Sequence, residues 1–171
     1  MKKLLVVIDM QNDFVGGALG TKEAVAILPN VVERIKKARE KGEEIVFTRD
    51  THRENYFSTQ EGKNLPVLHC VKNTDGWEIV DGLYNGELVF DKPTFGSVEL
   101  AEYVKANGFE EVELIGVCTD ICVVSNAMLI KAFCPEIKVI VKEDCCAGVT
   151  KESHQAAIQT MRSCQVAIIS E

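Results

Sequence analysis

Short, β-rich apolar runs alternate with segments of helical period along nearly the whole chain, and this alternation narrows the possible folds more than any other feature. A strand that returns through a helix lies parallel to the strand before it, so the pattern predicts the α/β class, with a parallel sheet covered by helices on both faces. Six strands are expected: Lys3 to Ile8, Glu44 to Thr48, Glu87 to Phe90, Glu111 to Val117, Lys138 to Val141 and Gln165 to Ile169. Between the first two, Pro29 is expected to open a helix with apolar positions at Val31, Val32, Ile35 and Ala38 that ends at Gly42. Further helices fit Ser97 to Asn107, Thr119 to Phe133 and Lys151 to Arg162. At 171 residues, the length suits a single domain spanning 1–171.

One stretch breaks the rhythm. Residues 50–86 are polar, rich in Gly, Asn and Thr, and hold two of the three histidines. A long excursion at the carboxyl end of a strand is where open α/β sheets place ligands. The charge balance narrows those ligands, because a net charge of −7 repels nucleic acid and anionic lipid and no basic patch offsets it. The opening MKKLLVVIDM reads as a buried strand rather than a signal peptide, since its apolar run stops at Asp9. With seven cysteines and no secretory signal, a reducing, cytoplasmic setting is expected.

Polar residues with catalytic potential follow three apolar runs: Asp9 after LLVVI, Lys92 after LVFD, and the Cys118 to Cys122 turn after VELIGV. In a parallel sheet those strand ends share one edge, so a carboxylate, an ammonium and a thiol can meet although they are far apart in sequence. Each also has an ordinary reading. Asp9 could cap a turn, Lys92 could be a surface lysine, and Cys122 could be a small core residue. The start of a helix nevertheless favours a thiolate and offers backbone donors to an oxyanion.

Three strings carry a family resemblance. GVCTDICVVSNA, Gly116 to Ala127, resembles the nucleophile turn of the isochorismatase-like cysteine hydrolases; VVIDMQNDF, Val6 to Phe14, resembles their first strand with its catalytic Asp; FDKPTFGS, Phe90 to Ser97, resembles the segment that supplies the Lys. The resemblance implies a Rossmann-like three-layer α/β/α sandwich with a mainly parallel sheet and a triad of Asp9, Lys92 and Cys122. It further implies a cis peptide bond before Cys118, with the backbone amides of Cys118 and Cys122 forming an oxyanion hole. In such a site Asp9 takes the thiol proton, and Lys92 favours the ionised forms of both neighbours.

Asp50, His52 and His69 could be solvated loop residues, but TRDTH and PVLHCV resemble the metal ligands of the nicotinamidase branch. One carboxylate and two imidazoles suit Zn²⁺, or Mn²⁺ or Fe²⁺, and Glu61 is a further acidic candidate. Phe14 and Phe95 match positions that line the substrate pocket. Thr51 and LPVLHC stand where that branch commonly has tryptophans, which implies a smaller or differently lined pocket. Trp77 could add to the aromatic wall or lie in the core, while His154 is expected to face solvent and Cys70, Cys118, Cys134, Cys145, Cys146 and Cys164 to pack.

The resemblance therefore implies hydrolysis of nicotinamide, or a close heteroaryl amide, to acid and ammonia through a thioester. Alternatives are an N-carbamoyl or ureido substrate, an isochorismatase-type hydrolase, and a non-catalytic binding or assembly protein. A homo-oligomer is implied by resemblance alone.

Overall fold

The computed structural model describes residues 2–170. Its elements run β1 (Lys3–Ile8), α1 (Asn12–Val15), α2 (Lys22–Glu40), β2 (Glu44–Asp50), α3 (Gln60–Asn64), β3 (Leu88–Lys92), α4 (Val98–Asn107), β4 (Glu111–Val117), α5 (Val124–Phe133), β5 (Lys138–Ala147), α6 (Lys151–Ser163) and β6 (Ala167–Ile169). The strands form one sheet in the order β3-β2-β1-β4-β5-β6, and every adjacent pair is parallel. No helix among the described residues is long and apolar enough to cross a membrane.

Because side chains alternate across a strand, the continuous apolar run of β1 supplies both faces of the sheet. Leu4, Val6 and Ile8 join Leu100, Val104 and Ile130 on one side, while Leu5 and Val7 meet Val31, Ile35 and Ala38 of α2 on the other. These two cores are the outer joints of a three-layer sandwich. The strand order reverses between β1 and β4, which places a crevice beyond their carboxyl ends.

Local chemistry sets the helix ends. Thr21 caps α2 by accepting from Ala24 N–H, Ser97 caps α4 through Leu100 N–H, and Thr150 with Ser153 forms a reciprocal capping box on α6. The expected start of α2 at Pro29 is wrong: the helix begins at Lys22 and Pro29 lies inside it. Proline there removes one donor, the partner of Val25 C=O, and Val25 is exposed to water that can replace it. Val32, expected in the core, is exposed, and Ala24 is buried instead.

Three strands run further than their apolar runs suggest. β2 continues to Asp50 and β3 to Lys92, where the two residues pair directly. β5 continues to Ala147 through the polar Lys142, Glu143 and Asp144, with a register irregularity against β4 between Leu114 and Gly116. β6 is shorter than expected, since Gln165 takes a positive φ in the turn before it. The long helix expected from Thr119 opens as a π-helical turn over Thr119–Val123 before α5.

Candidate active site

Asp9, Asp50, Lys92 and the turn after Val117 stand at the carboxyl ends of β1, β2, β3 and β4, brought level by the parallel register. Gly116 makes this possible at β4. Its φ is +118°, and a Cβ there would lie 2.1 Å from the Ile8 carbonyl oxygen. Asp9 itself takes a left-handed φ of +47°, a conformation that aspartate tolerates better than most residues. The peptide bond between Val117 and Cys118 is cis.

Lys92 is the centre of the cluster. Its side chain has no exposure, and its Nζ lies 2.6 Å from Asp9 Oδ2, 3.5 Å from Cys122 Sγ and 3.7 Å from Asp50 Oδ1, while donating to Thr94 O at 3.1 Å. Burial alone would push its ammonium toward the neutral form, but the negative charge of Asp9 and Asp50 outweighs it and raises its pKa. Asp9 Oδ1 accepts from Thr48 Oγ1 at 2.6 Å. Burial raises the Asp9 carboxyl above its usual range, with Lys92 opposing. Cys122 is likewise raised well above the ordinary thiol, by burial and then by the charge of Asp9, with Lys92 opposing. Lys92 therefore acts in the expected direction on both neighbours, lowering each pKa, while burial works against it.

The second constellation lies beside the first. Asp50, His52, Glu61 and His69 each present one ligand atom, and these atoms lie within 4.8 Å of one another. His52 Nε2 is 2.9 Å and His69 Nε2 3.4 Å from Asp50 Oδ2; Glu61 Oε1 is 3.6 Å and 3.8 Å from the same two nitrogens. Two observations fit this set to a cation. Asp50 Oδ1 is buried without a hydrogen-bond partner, and His69 Nδ1 meets Val67 O at 2.7 Å, which leaves Nε2 as the free ligand nitrogen. The His52 contact and the charge of Lys92 overcome burial and hold the Asp50 carboxyl far below its usual range.

Both groups open on a cavity of about 230 Å³, below the roughly 300–1,000 Å³ of sites for drug-sized ligands. Phe14, Leu19, Leu65, Phe95, Ile121 and Val149 give it apolar walls; Asp50, Glu61, His69, Cys118 and Cys122 supply the polar edge. Phe14 and Phe95 therefore lie where expected. Thr51 and Trp77 do not line the cavity: the Trp77 indole N–H donates to Thr51 Oγ1 at 2.9 Å, and Arg49 stacks on its ring at 3.5 Å. All seven cysteines are free thiols.

Several supporting residues escape a reading of the sequence. Tyr56 is fully buried against both the His52 and His69 rings, with centroids 4.7 and 5.1 Å away. Asp13 accepts from Cys70 N–H at 2.8 Å, fixing the chain next to His69. Gln11 bonds both the N–H and the C=O of Asp50. Polar types placed inside or beside apolar runs are the signal that could have found them. His154, expected in solvent, instead has a side chain only 13% exposed, and its Nδ1 meets Thr119 Oγ1 of the turn that carries Cys122 at 2.8 Å.

Residues 3–171 match the Isochorismatase domain family, and the chain belongs to that family. Within it, the chain is 32% identical over 181 residues to an Arabidopsis thaliana protein named "Probable inactive nicotinamidase", an alignment spanning 93% of this chain and 87% of the relative. It is 26% identical to the nicotinamidase of Schizosaccharomyces pombe, over 98% of this chain and 92% of that one. The crystal structure of Pyrococcus horikoshii pyrazinamidase in complex with zinc superposes over 100% of both chains, with a TM-score of 0.88 and 34% identity.

Proposed function

We propose that this chain is a cysteine amidohydrolase that converts nicotinamide, or a heteroaryl amide of similar size, to the carboxylic acid and ammonia. The observation that carries this reading is the chain of contacts from Asp9 through Lys92 to Cys122 at the edge of a small apolar cavity. The Arabidopsis relative is named as inactive, so the reading for this chain rests on its own side chains.

Asp9 is the general base and takes the proton of the Cys122 thiol. Lys92 stabilises the thiolate at the moment it forms, which is the charge that burial otherwise disfavours. The sulfur attacks the amide carbon, and the backbone N–H groups of Cys118 and Cys122 receive the negative oxygen. Protonated Asp9 returns its proton to the departing nitrogen, ammonia leaves, and water attacks the thioester to release the acid and the thiol. Phe14 and Phe95 flank the ring.

Asp50, His52, Glu61 and His69 would hold a divalent ion, Zn²⁺ on this reading, which supplies a Lewis-acid contact for a heteroaromatic nitrogen. The seven free thiols suit a reducing cytoplasm. Aliphatic Leu19 and Leu65 in the wall favour a second reading, in which the same triad cuts an N-carbamoyl compound.

Ammonia release from nicotinamide by the native protein and by Cys122→Ala tests the proposal. Loss of about 10³-fold or more in kcat is expected for a missing nucleophile. Equal rates would overturn it, and turnover of a carbamoyl compound unaffected by chelation would select the second reading.

A further inference from the structure

Asn126 follows Cys122 by one helical turn and has no exposed surface. An apolar residue would suit that position in α5, because asparagine is a poor helix former and its amide must be satisfied when buried. Here it is satisfied by two separate segments of the candidate site. Its Nδ2 donates to Cys122 O at 2.8 Å and to Phe95 O at 3.1 Å, and its Oδ1 accepts from Ser97 N–H at 2.9 Å. Both amide hydrogens and one lone pair are therefore spent on joining the nucleophile turn to the loop between β3 and α4.

That loop is not a neutral connection. It leaves Lys92 directly, its Thr94 carbonyl accepts from the Lys92 ammonium, and Phe95 forms part of the cavity wall. A shift of the loop relative to α5 would carry the ammonium away from the sulfur. We propose that Asn126 is a positioning residue, tying the Lys92–Ser97 loop to the Cys122 turn so that the ammonium and the thiol stay in contact. The inference rests on the amidohydrolase reading. Asn126 lines no part of the cavity and acts only through the groups it holds. The competing view is that it merely anchors α4, whose capping residue is Ser97.

Asn126→Ala removes all three bonds. Asn126→Ser keeps a hydroxyl able to donate to the carbonyl four residues back on its own helix, so it preserves the Cys122 bond and loses both loop bonds. If the Ala variant does not fold, the Ser variant carries the comparison. Three measurements are made on each: kcat and KM for nicotinamide, the rate of Cys122 alkylation by iodoacetamide read residue by residue by tandem mass spectrometry, and thermal unfolding by circular dichroism. Below the melting range, kcat should fall by about tenfold or more with a smaller change in KM, since misplacement of reacting groups by about 1 Å can cost about a hundredfold. Alkylation should slow in proportion, because the thiolate loses its cation. A purely structural role predicts a lower melting temperature with kcat unchanged, and alkylation unchanged or faster as the thiol is uncovered; that result would overturn the proposal. Should the native protein release no ammonia, the amidase reading fails separately, and the alkylation rates still decide the role of Asn126.

Discussion

At the scale of single residues, the site is a set of charges that would be unstable alone. Asp9, Lys92 and Asp50 lie almost wholly out of water, and each remains bearable only because the others and a few hydroxyls and amides surround it. Thr48 is one of those hydroxyls, bonded to Asp9 through both its side chain and the Asp9 amide. Replacing it by the nearly isosteric valine removes a donor that favours ionised Asp9, so the Asp9 pKa should rise further. The acid limb of the kcat/KM profile of Thr48→Val should then move to higher pH, with a loss of stability of about 1–3 kcal/mol for the broken bond to a charged group. A profile that stays in place would show that Asp9 does not set that limb. Asp9, Lys92 and Cys122 were legible because each follows an apolar run. Thr48, Gln11, Tyr56 and Asn126 were not, because a polar or aromatic residue inside an element shows its partners only after folding.

At the scale of elements, the strand ends carry the chemistry, and their closeness depends on backbone geometry. Gly116 allows β4 to pass against Ile8. Gly116→Ala should cost at least about 3 kcal/mol in denaturant unfolding, as it combines a positive φ with a backbone clash. A fully stable variant would mean that the strands can part without harm. The missed portions of β2 and β3 are the charged pairs Arg49–Asp50 and Asp91–Lys92, and the missed portion of β5 opens with the charged Lys142, Glu143 and Asp144. Strand propensity describes a fit to a half-buried pleat, so it fails where pairing with a neighbour, rather than side-chain type, holds the backbone extended. Pro29 misled for a related reason: its effect on a helix depends on whether the freed carbonyl can reach water.

At the scale of the whole molecule, folding creates the ligand set that the unfolded chain lacks, so metal binding and stability are linked. Added Zn²⁺ should raise the melting temperature of the native protein, by the equivalent of about 2.7 kcal/mol at a hundredfold excess over Kd. Asp50→Asn should remove most of that shift, and an equal shift in both proteins would place the ion elsewhere. Acidity acts on a different part of the surface. Burial tends to raise the Glu111 pKa, but hydrogen bonds from Lys138 and Lys3 overcome it and lower the value. A depressed carboxyl pKa stabilises the fold above the unfolded value of about 4.3, and the contribution disappears as the pH falls through the lower folded value. Glu111→Gln should therefore be less stable than native at pH 7, by under about 1 kcal/mol because both lysines are well exposed. The gap should narrow toward pH 3, and a gap that widens would reverse the assigned sign.

Periodicity in the chain was enough to determine an α/β sheet, its six strands and the three residues that end apolar runs near one another, because burial of alternate faces is written directly in residue order. The motifs added the family and the metal-type histidines. What required the tertiary structure was every quantity that depends on distance and on exclusion of water. These include the 3.5 Å approach of Lys92 to Cys122, the burial that raises the thiol pKa, the place of Glu61 among the ligand atoms and the withdrawal of Trp77 from the cavity. Electrostatic strength and hydrogen-bond partnership arise between segments remote in sequence, and only packing brings those segments together.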